Sequence, residues 1–239
     1  MRRVWWIAGA VIALAAWAVT RPFALTTIAP APTRLPAAIA VGDRPLSLVI
    51  LGTSLSVEAP WTAALARRLE SCLGVRVAMR VVARGGATSR WGAEQLPQLL
   101  GPAPDLVLIE FTANDADLRR GLLPGESAAL HREMLAQIGA ANPEARVLLL
   151  SMNPISGLRR VARPALQTYL RGYHALAKAD PRHGFVDLRP DWQAYLARHP
   201  EGPAIPDGLH PVPATAAEVM TAPLSGLIAG IYGRDTCPG

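Results

Sequence analysis

One lysine, Lys178, stands among 239 residues, so arginine carries nearly all of the basic charge and the formal net charge of +6. A coding bias toward arginine accounts for that excess as well as a function does. No basic run is interleaved with aromatic residues, so nucleic acid is not an expected partner. Cysteine is scarce as well, with Cys72 and Cys237 alone. The four histidines other than His210 pair with no cysteine or carboxylate at metal-ligand spacing, so neither a metal nor another cofactor is expected. No internal repeat is present, which excludes solenoids and propellers.

What is present begins with a leader. Met1-Arg2-Arg3 precedes an uncharged apolar segment over 4–19, closed by Thr20-Arg21-Pro22. A signal-peptide core is about 7–15 residues and a spanning helix about 20, so the segment falls between the two. Ala16-Trp17-Ala18 has the small-x-small form of a cleavage site but lies inside the run, which favours an uncleaved anchor over a removed signal. The leading arginines put its N-terminus in the cytoplasm and the rest of the chain outside, facing the periplasm from a bacterial inner membrane, or free of it if the leader is cleaved. Residues 23–45, with Pro30, Pro32, Pro36 and Pro45 among Ala and Thr, read as an extended tether. The chain therefore divides into a leader at 1–22, a linker at 23–45 and a folded domain at 46–239, with enough apolar residues for one sizeable core.

Within that domain, apolar runs alternate with helical periodicity. Strands are expected over 46–52, 75–82, 106–111, 146–151 and 185–188. Helices are expected over 61–73, 126–141 and 164–179, with a polar-apolar run over 90–100, Gly74 as the first stop and Arg68 as a misfit on the apolar stripe of the first helix. Such alternation implies right-handed crossovers and a parallel sheet covered on both faces.

Four loops carry the candidate chemistry. The first strand ends in Gly52-Thr53-Ser54-Leu55-Ser56, which puts Ser54 at a carboxyl edge, where ligands of open α/β sheets bind. Ser54 reads there as a nucleophile or, more blandly, as a helix-capping serine. Gly85-Gly86 follows the second strand, Thr112-Ala113-Asn114-Asp115 the third, and Asp207-Gly208-Leu209-His210 lies between prolines near the end. Taken singly, Gly86 is a turn glycine and Asn114 an Asx turn. The Asp207-to-His210 spacing lets the carboxylate hold Nδ1–H of the imidazole and leave Nε2 for Ser54. His131, His174, His183 and His199 read as solvated surface residues.

Taken together, these loops resemble the four blocks of the SGNH (GDSL) hydrolases, which contain Ser, Gly, Asn and His in this order. The resemblance implies an α/β, flavodoxin-like three-layer sandwich with a five-stranded parallel sheet. It also implies a serine esterase in which Ser54, His210 and Asp207 are catalytic, and in which the backbone N–H groups of Ser54 and Gly86 and the Asn114 amide form an oxyanion hole. Two positions depart from the pattern: Thr53 stands where the first block usually has the loop-bracing Asp, and Ala113 where the third usually has Gly. In that fold the first and last helices share one side of the sheet, which implies a Cys72–Cys237 disulfide; the alternative is a buried thiol and a free one. The expected partners are the membrane, through the leader, and an ester substrate for a monomeric enzyme. Carbohydrate O-acetyl esters are favoured, with lysophospholipids, acyl transfer to polysaccharide and glycan binding without catalysis as alternatives. Arg119, Arg120, Arg159, Arg160 and Arg163 flank the expected cleft, as receivers of an anionic group or as an ordinary charged face.

Overall fold

Seven residues, Leu46–Gly52, form β1, the strand on which the others assemble. The computed structural model describes residues 31–40, 42–199, 204–234 and 237; the apolar segment at 4–19 and the first residues of the linker lie outside these. Parallel neighbours flank β1, with β2 (Val77–Ala83) on one side and β3 (Leu106–Ile109), β4 (Arg146–Ser151) and β5 (His183–Asp187) on the other, in the order β2-β1-β3-β4-β5. β3 and β4 are buried along their whole length, as strands covered on both faces must be, and therefore read as continuous apolar runs without alternation.

Strand order reverses at β1, because the chain leaves it for β2 and returns on its other side as β3. At such a switch point the outgoing loops diverge and leave a crevice at the carboxyl ends. Register sharpens this. Gly52 pairs with Ala83 and Leu51 with Ile109, so the residues that follow β1, β2 and β3 emerge level with one another.

The helices are α1 (Pro60–Leu73), α2 (Ser89–Leu99), α3 (Thr112–Asp115), α4 (Pro124–Ala141), α5 (Gly157–Val161), α6 (Leu166–Ala179), α7 (Arg189–Arg198) and α8 (Pro213–Ile231). α1 and α7 pack on α8 over one face of the sheet, while α2, α4 and α6 form the other layer. Trp61, Leu65 and Leu69 are fully buried at 4-residue spacing on α1, each contributing about 1.5–3 kcal/mol by removal from water. Arg68, the misfit of that stripe, points Nε at the buried Ser225 Oγ of α8, 3.0 Å away. α8 has the length and apolar composition of a membrane span, but Met220, Leu224 and Ile228 are buried in the core, as in a central helix of a folded domain. Beyond its end, Cys237 is joined to Cys72 at the end of α1, with the two Cα atoms 4.7 Å apart.

Several boundaries and two histidines differ from expectation. β3 stops at Ile109: Glu110 N–H still donates to Leu51 O at 3.1 Å, but Phe111 N–H turns away to Tyr173 Oη at 3.0 Å. β2 starts at Val77, two residues late, and β5 at His183, two residues early. Residues 31–40 are extended, as their prolines require, yet they are not loose. Arg34 exchanges two backbone hydrogen bonds of 2.8 Å with Phe185, and Ile39 N–H donates to Ile231 O, 2.8 Å. This segment covers the outer edge of β5 and explains why an edge strand is buried throughout. His131 and His183, expected on the surface, are both buried. His131 shares the inner face of α4 with Met134, Leu135 and Ile138, where helical periodicity puts it. Desolvation lowers the pKa of both imidazoles and keeps them neutral.

Candidate active site

Three of the four expected loops begin at the carboxyl ends of β1, β2 and β3, and the fourth precedes α8. Ser54 stands in the turn after β1, and its Oγ is 2.9 Å from Nε2 of His210. Asp207 accepts Nδ1–H of that imidazole through Oδ2 at 2.8 Å and, through Oδ1, the backbone N–H groups of Leu209 and His210 at 3.0 and 2.7 Å. Partial burial works to raise the Asp207 pKa, but these donors outweigh it and hold the carboxyl well below the usual range. An ionised carboxylate on Nδ1–H fixes the tautomer, so Nε2 is free to take the Ser54 proton. The histidine loop is itself tied down: Ser156 N–H donates to Gly208 O at 2.9 Å, and Asn153 Nδ2 to Leu209 O at 2.8 Å.

Gly86 and Asn114 meet beside this pair. Asn114 Nδ2 donates to Ala87 O at 2.9 Å, which uses one of its two protons and anchors the amide next to Gly86. Among the described residues, no acceptor engages the backbone N–H of Ser54 or of Gly86. Gly86 has φ of +73°, a conformation that turns the peptide as only glycine does at low cost. Two unengaged N–H groups and a half-engaged amide are the donor set that a developing oxyanion needs.

The loop of Ser54 is braced by a residue that sequence reasoning did not single out. Glu110, fully buried one residue past β3, accepts Thr53 N–H at 2.5 Å and Ser56 Oγ–H at 2.8 Å through Oε1, with Thr53 Oγ1 at 3.0 Å from Oε2. Gly52 leaves room for it, since a Cβ there would overlap the Glu110 carboxylate. The brace that Thr53 lacks thus arrives from the neighbouring strand. With no cation beside it, burial pushes the Glu110 pKa up to about 7, against the pull of its three donors. A carboxylate at the end of a wholly apolar strand was the signal in the sequence, since such a group needs partners.

Over residues 42–217 the sequence matches the GDSL-like lipase/acylhydrolase family. The chain belongs to that family. It is an ester hydrolase by that membership, and its fold is that of solved acylhydrolases. TesA is 24% identical, with a TM-score of 0.60 over 77% of this chain and 99% of that one. A lipase/acylhydrolase from Enterococcus faecalis is 22% identical, TM-score 0.61, over 81% and 99% of the two chains. A point mutant of Axe2, an acetyl-xylooligosaccharide esterase from Geobacillus Stearmophilus, is 17% identical, TM-score 0.64, over 82% and 97%. No curated protein matches.

In this acylhydrolase the third-block loop sits on a buried polar network. Asp115 accepts Ser89 N–H at 2.8 Å, capping α2, and Ser127 Oγ–H at 2.6 Å. His131 donates Nδ1–H to Ser127 O and accepts Tyr173 Oη–H at Nε2, both at 2.8 Å, while Tyr173 Oη accepts Phe111 N–H at 3.0 Å. The network holds the backbone on either side of Asn114. A helical His gave no sign of this, because Tyr173, its partner at Nε2, comes from another helix.

The five arginines separate into different jobs. Arg163 is buried, donates to Ala113 O and pairs with Asp117 at 2.9 Å, so it ties loops together and is closed to a substrate. Burial lowers the Arg163 pKa, and Asp117 opposes this while Arg119, Arg159 and Arg120 add to it. Arg119 pairs with Asp117 at 2.6 Å, and Arg159 with Asp207 at 2.8 Å. Arg160 donates to Arg163 O at 2.8 Å. Among the described residues no group of three or more His, Cys, Asp or Glu is arranged to hold a metal. A cavity of about 300 Å³ lined by Ile39, Arg44, Asp105 and Tyr232 opens at the amino ends of the strands, remote from Ser54.

Proposed function

We propose that this chain is an exported serine esterase that removes short O-acyl groups, acetyl first, from carbohydrate. The reading rests on one observation above others, the 2.9 Å contact of Ser54 Oγ with an imidazole whose other nitrogen is held by Asp207. Oγ attacks the ester carbonyl as Nε2 takes its proton. The carbonyl oxygen becomes an oxyanion received by Ser54 N–H, Gly86 N–H and the second Asn114 amide proton. The tetrahedral adduct collapses, and the imidazolium returns the proton to the departing alcohol. Water then attacks the acyl-serine by the same route and releases the acid.

Two features support the finer reading. The His210 and Asp207 side chains are 43% and 37% exposed, so the site is a shallow surface cleft, suited to a small acyl group on a bulky alcohol more than to a long chain. Export is supported by the arginine-flanked apolar segment at 4–19 and by the Cys72–Cys237 bridge, a bond that persists in oxidising compartments. The anchored, periplasm-facing form and a monomeric state belong to the same proposal.

Hydrolysis of p-nitrophenyl esters of graded chain length tests it. Acetate and propionate esters should turn over fastest, and Ser54→Ala and His210→Ala should each lower kcat by at least about 10³-fold. A preference for chains of about eight carbons or more would replace the glycan reading with a lipid one. Activity that survives both substitutions would remove the mechanism.

A further inference from the structure

Arg120 combines two features that no other cleft arginine combines. It is exposed, and among the described residues its side chain has no hydrogen-bond or carboxylate partner, whereas Arg119, Arg159 and Arg163 are each paired with Asp117 or Asp207 and the half-buried Arg160 donates to Arg163 O. Its guanidinium is nevertheless held in a defined place. A methyl group built on Gly86 would stand 2.7 Å from Nη2 and 3.1 Å from both Cζ and Nη1. Nη2 is nearer that position than Cζ, and Nη1 is level with Cζ, so the Nη edge of the guanidinium borders the glycine. Any other residue at 86 would displace it, so the glycine seats Arg120 as well as turning the chain.

That seat is beside the N–H group proposed to receive the oxyanion. The fork of Nη–H donors is therefore held beside Gly86, where a group entering next to the scissile ester would meet it. We propose that Arg120 is a specificity-determining residue that pairs with a carboxylate carried by the substrate next to the scissile ester, as in an O-acetylated uronic acid. The proposal rests on the glycan-esterase reading and narrows it from carbohydrate esters to acidic ones. A planar carboxylate matches the guanidinium fork through two parallel hydrogen bonds, and a monoanion balances a guanidinium that has no carboxylate beside it among the described residues.

The test compares acetate release from an O-acetylated oligogalacturonate with release from the same oligomer carrying carboxamides in place of carboxylates. The wild-type ratio of kcat/KM, acid over amide, should be about tenfold, the low end for a charge-assisted pair at an exposed site. It should fall toward one in Arg120→Gln, be partly kept in Arg120→Lys and shrink as salt is raised. A ratio near one in the wild type, or an equal ratio in wild type and Arg120→Gln, overturns the role of Arg120 while leaving the glycan esterase standing. No acetate from either oligomer, with p-nitrophenyl acetate still hydrolysed, overturns the glycan reading itself. Arg120-dependent hydrolysis of a lysophospholipid, without any acid preference on the oligomers, would assign the guanidinium to a phosphate head group and refute the proposal.

Discussion

Glu110→Gln is the substitution whose effect the structure fixes most closely. Glu110 is buried without a cation, and its carboxyl titrates at about 7 in the fold against 4.5 in the open chain. Because the folded value is the higher one, ionisation costs stability. The cost is absent well below 4.5, grows as pH rises between 4.5 and 7, and is complete above 7. The full cost is about 3 kcal/mol, at about 1.36 kcal/mol for each unit. Glutamine keeps the neutral form at every pH. Its carbonyl oxygen can accept from Thr53 N–H and Ser56 Oγ, and its amide can donate to Thr53 Oγ1. In denaturant unfolding, Glu110→Gln should therefore exceed the wild type by about 3 kcal/mol at about pH 8 and by less than about 0.5 kcal/mol at about pH 4.5. Titrations common to both proteins cancel in the difference. Glu110→Ala should be less stable at both pH values, since it strands three buried donors at about 1–3 kcal/mol each. A Gln-minus-wild-type difference that does not change with pH would refute the burial argument.

Other substitutions probe other joints. Asn114→Ala should lower kcat about 10²–10³-fold with little change in KM, measured on p-nitrophenyl acetate, because the lost donor acts on charge present only in the transition state. Cys72→Ser, or reduction of the wild type, should lower stability by about 2–4 kcal/mol in denaturant while leaving kcat within about twofold, since the bridge joins the end of α1 to the tail beyond α8 and involves none of the site loops. Arg163→Ala should cost about 3–5 kcal/mol by leaving the Asp117 carboxylate buried and half-paired, read from the shift of the unfolding midpoint.

The sheet and the loops that bear Ser54, Gly86, Asn114 and His210 were legible in the sequence because their signals are local. An apolar run ending in glycine, a Gly-Gly turn and an Asp three residues before a His each declare themselves within a few residues. Glu110 was not legible, because its partners lie 54 and 57 positions away and only the β1–β3 register brings them together. His131 was misplaced for a similar reason: Tyr173, which makes its burial tolerable, is 42 residues on. The arginines looked alike in sequence, and only the positions of Asp117 and Asp207 separate the paired Arg119, Arg159 and Arg163 from Arg120 and Arg160, which have no carboxylate among the described residues. Thr53 read as a loss, yet the carboxylate it lacks was supplied by the next strand, so the departure moves a charge and leaves the loop braced.

The covalent step is the most exposed part of the mechanism. Treatment with a p-nitrophenyl alkylphosphonate, followed by peptide mass mapping, should show one phosphonyl group per chain on Ser54, with no adduct after His210→Ala. Labelling at a different residue, or hydrolysis that continues at full rate with Ser54 unmodified, would contradict it.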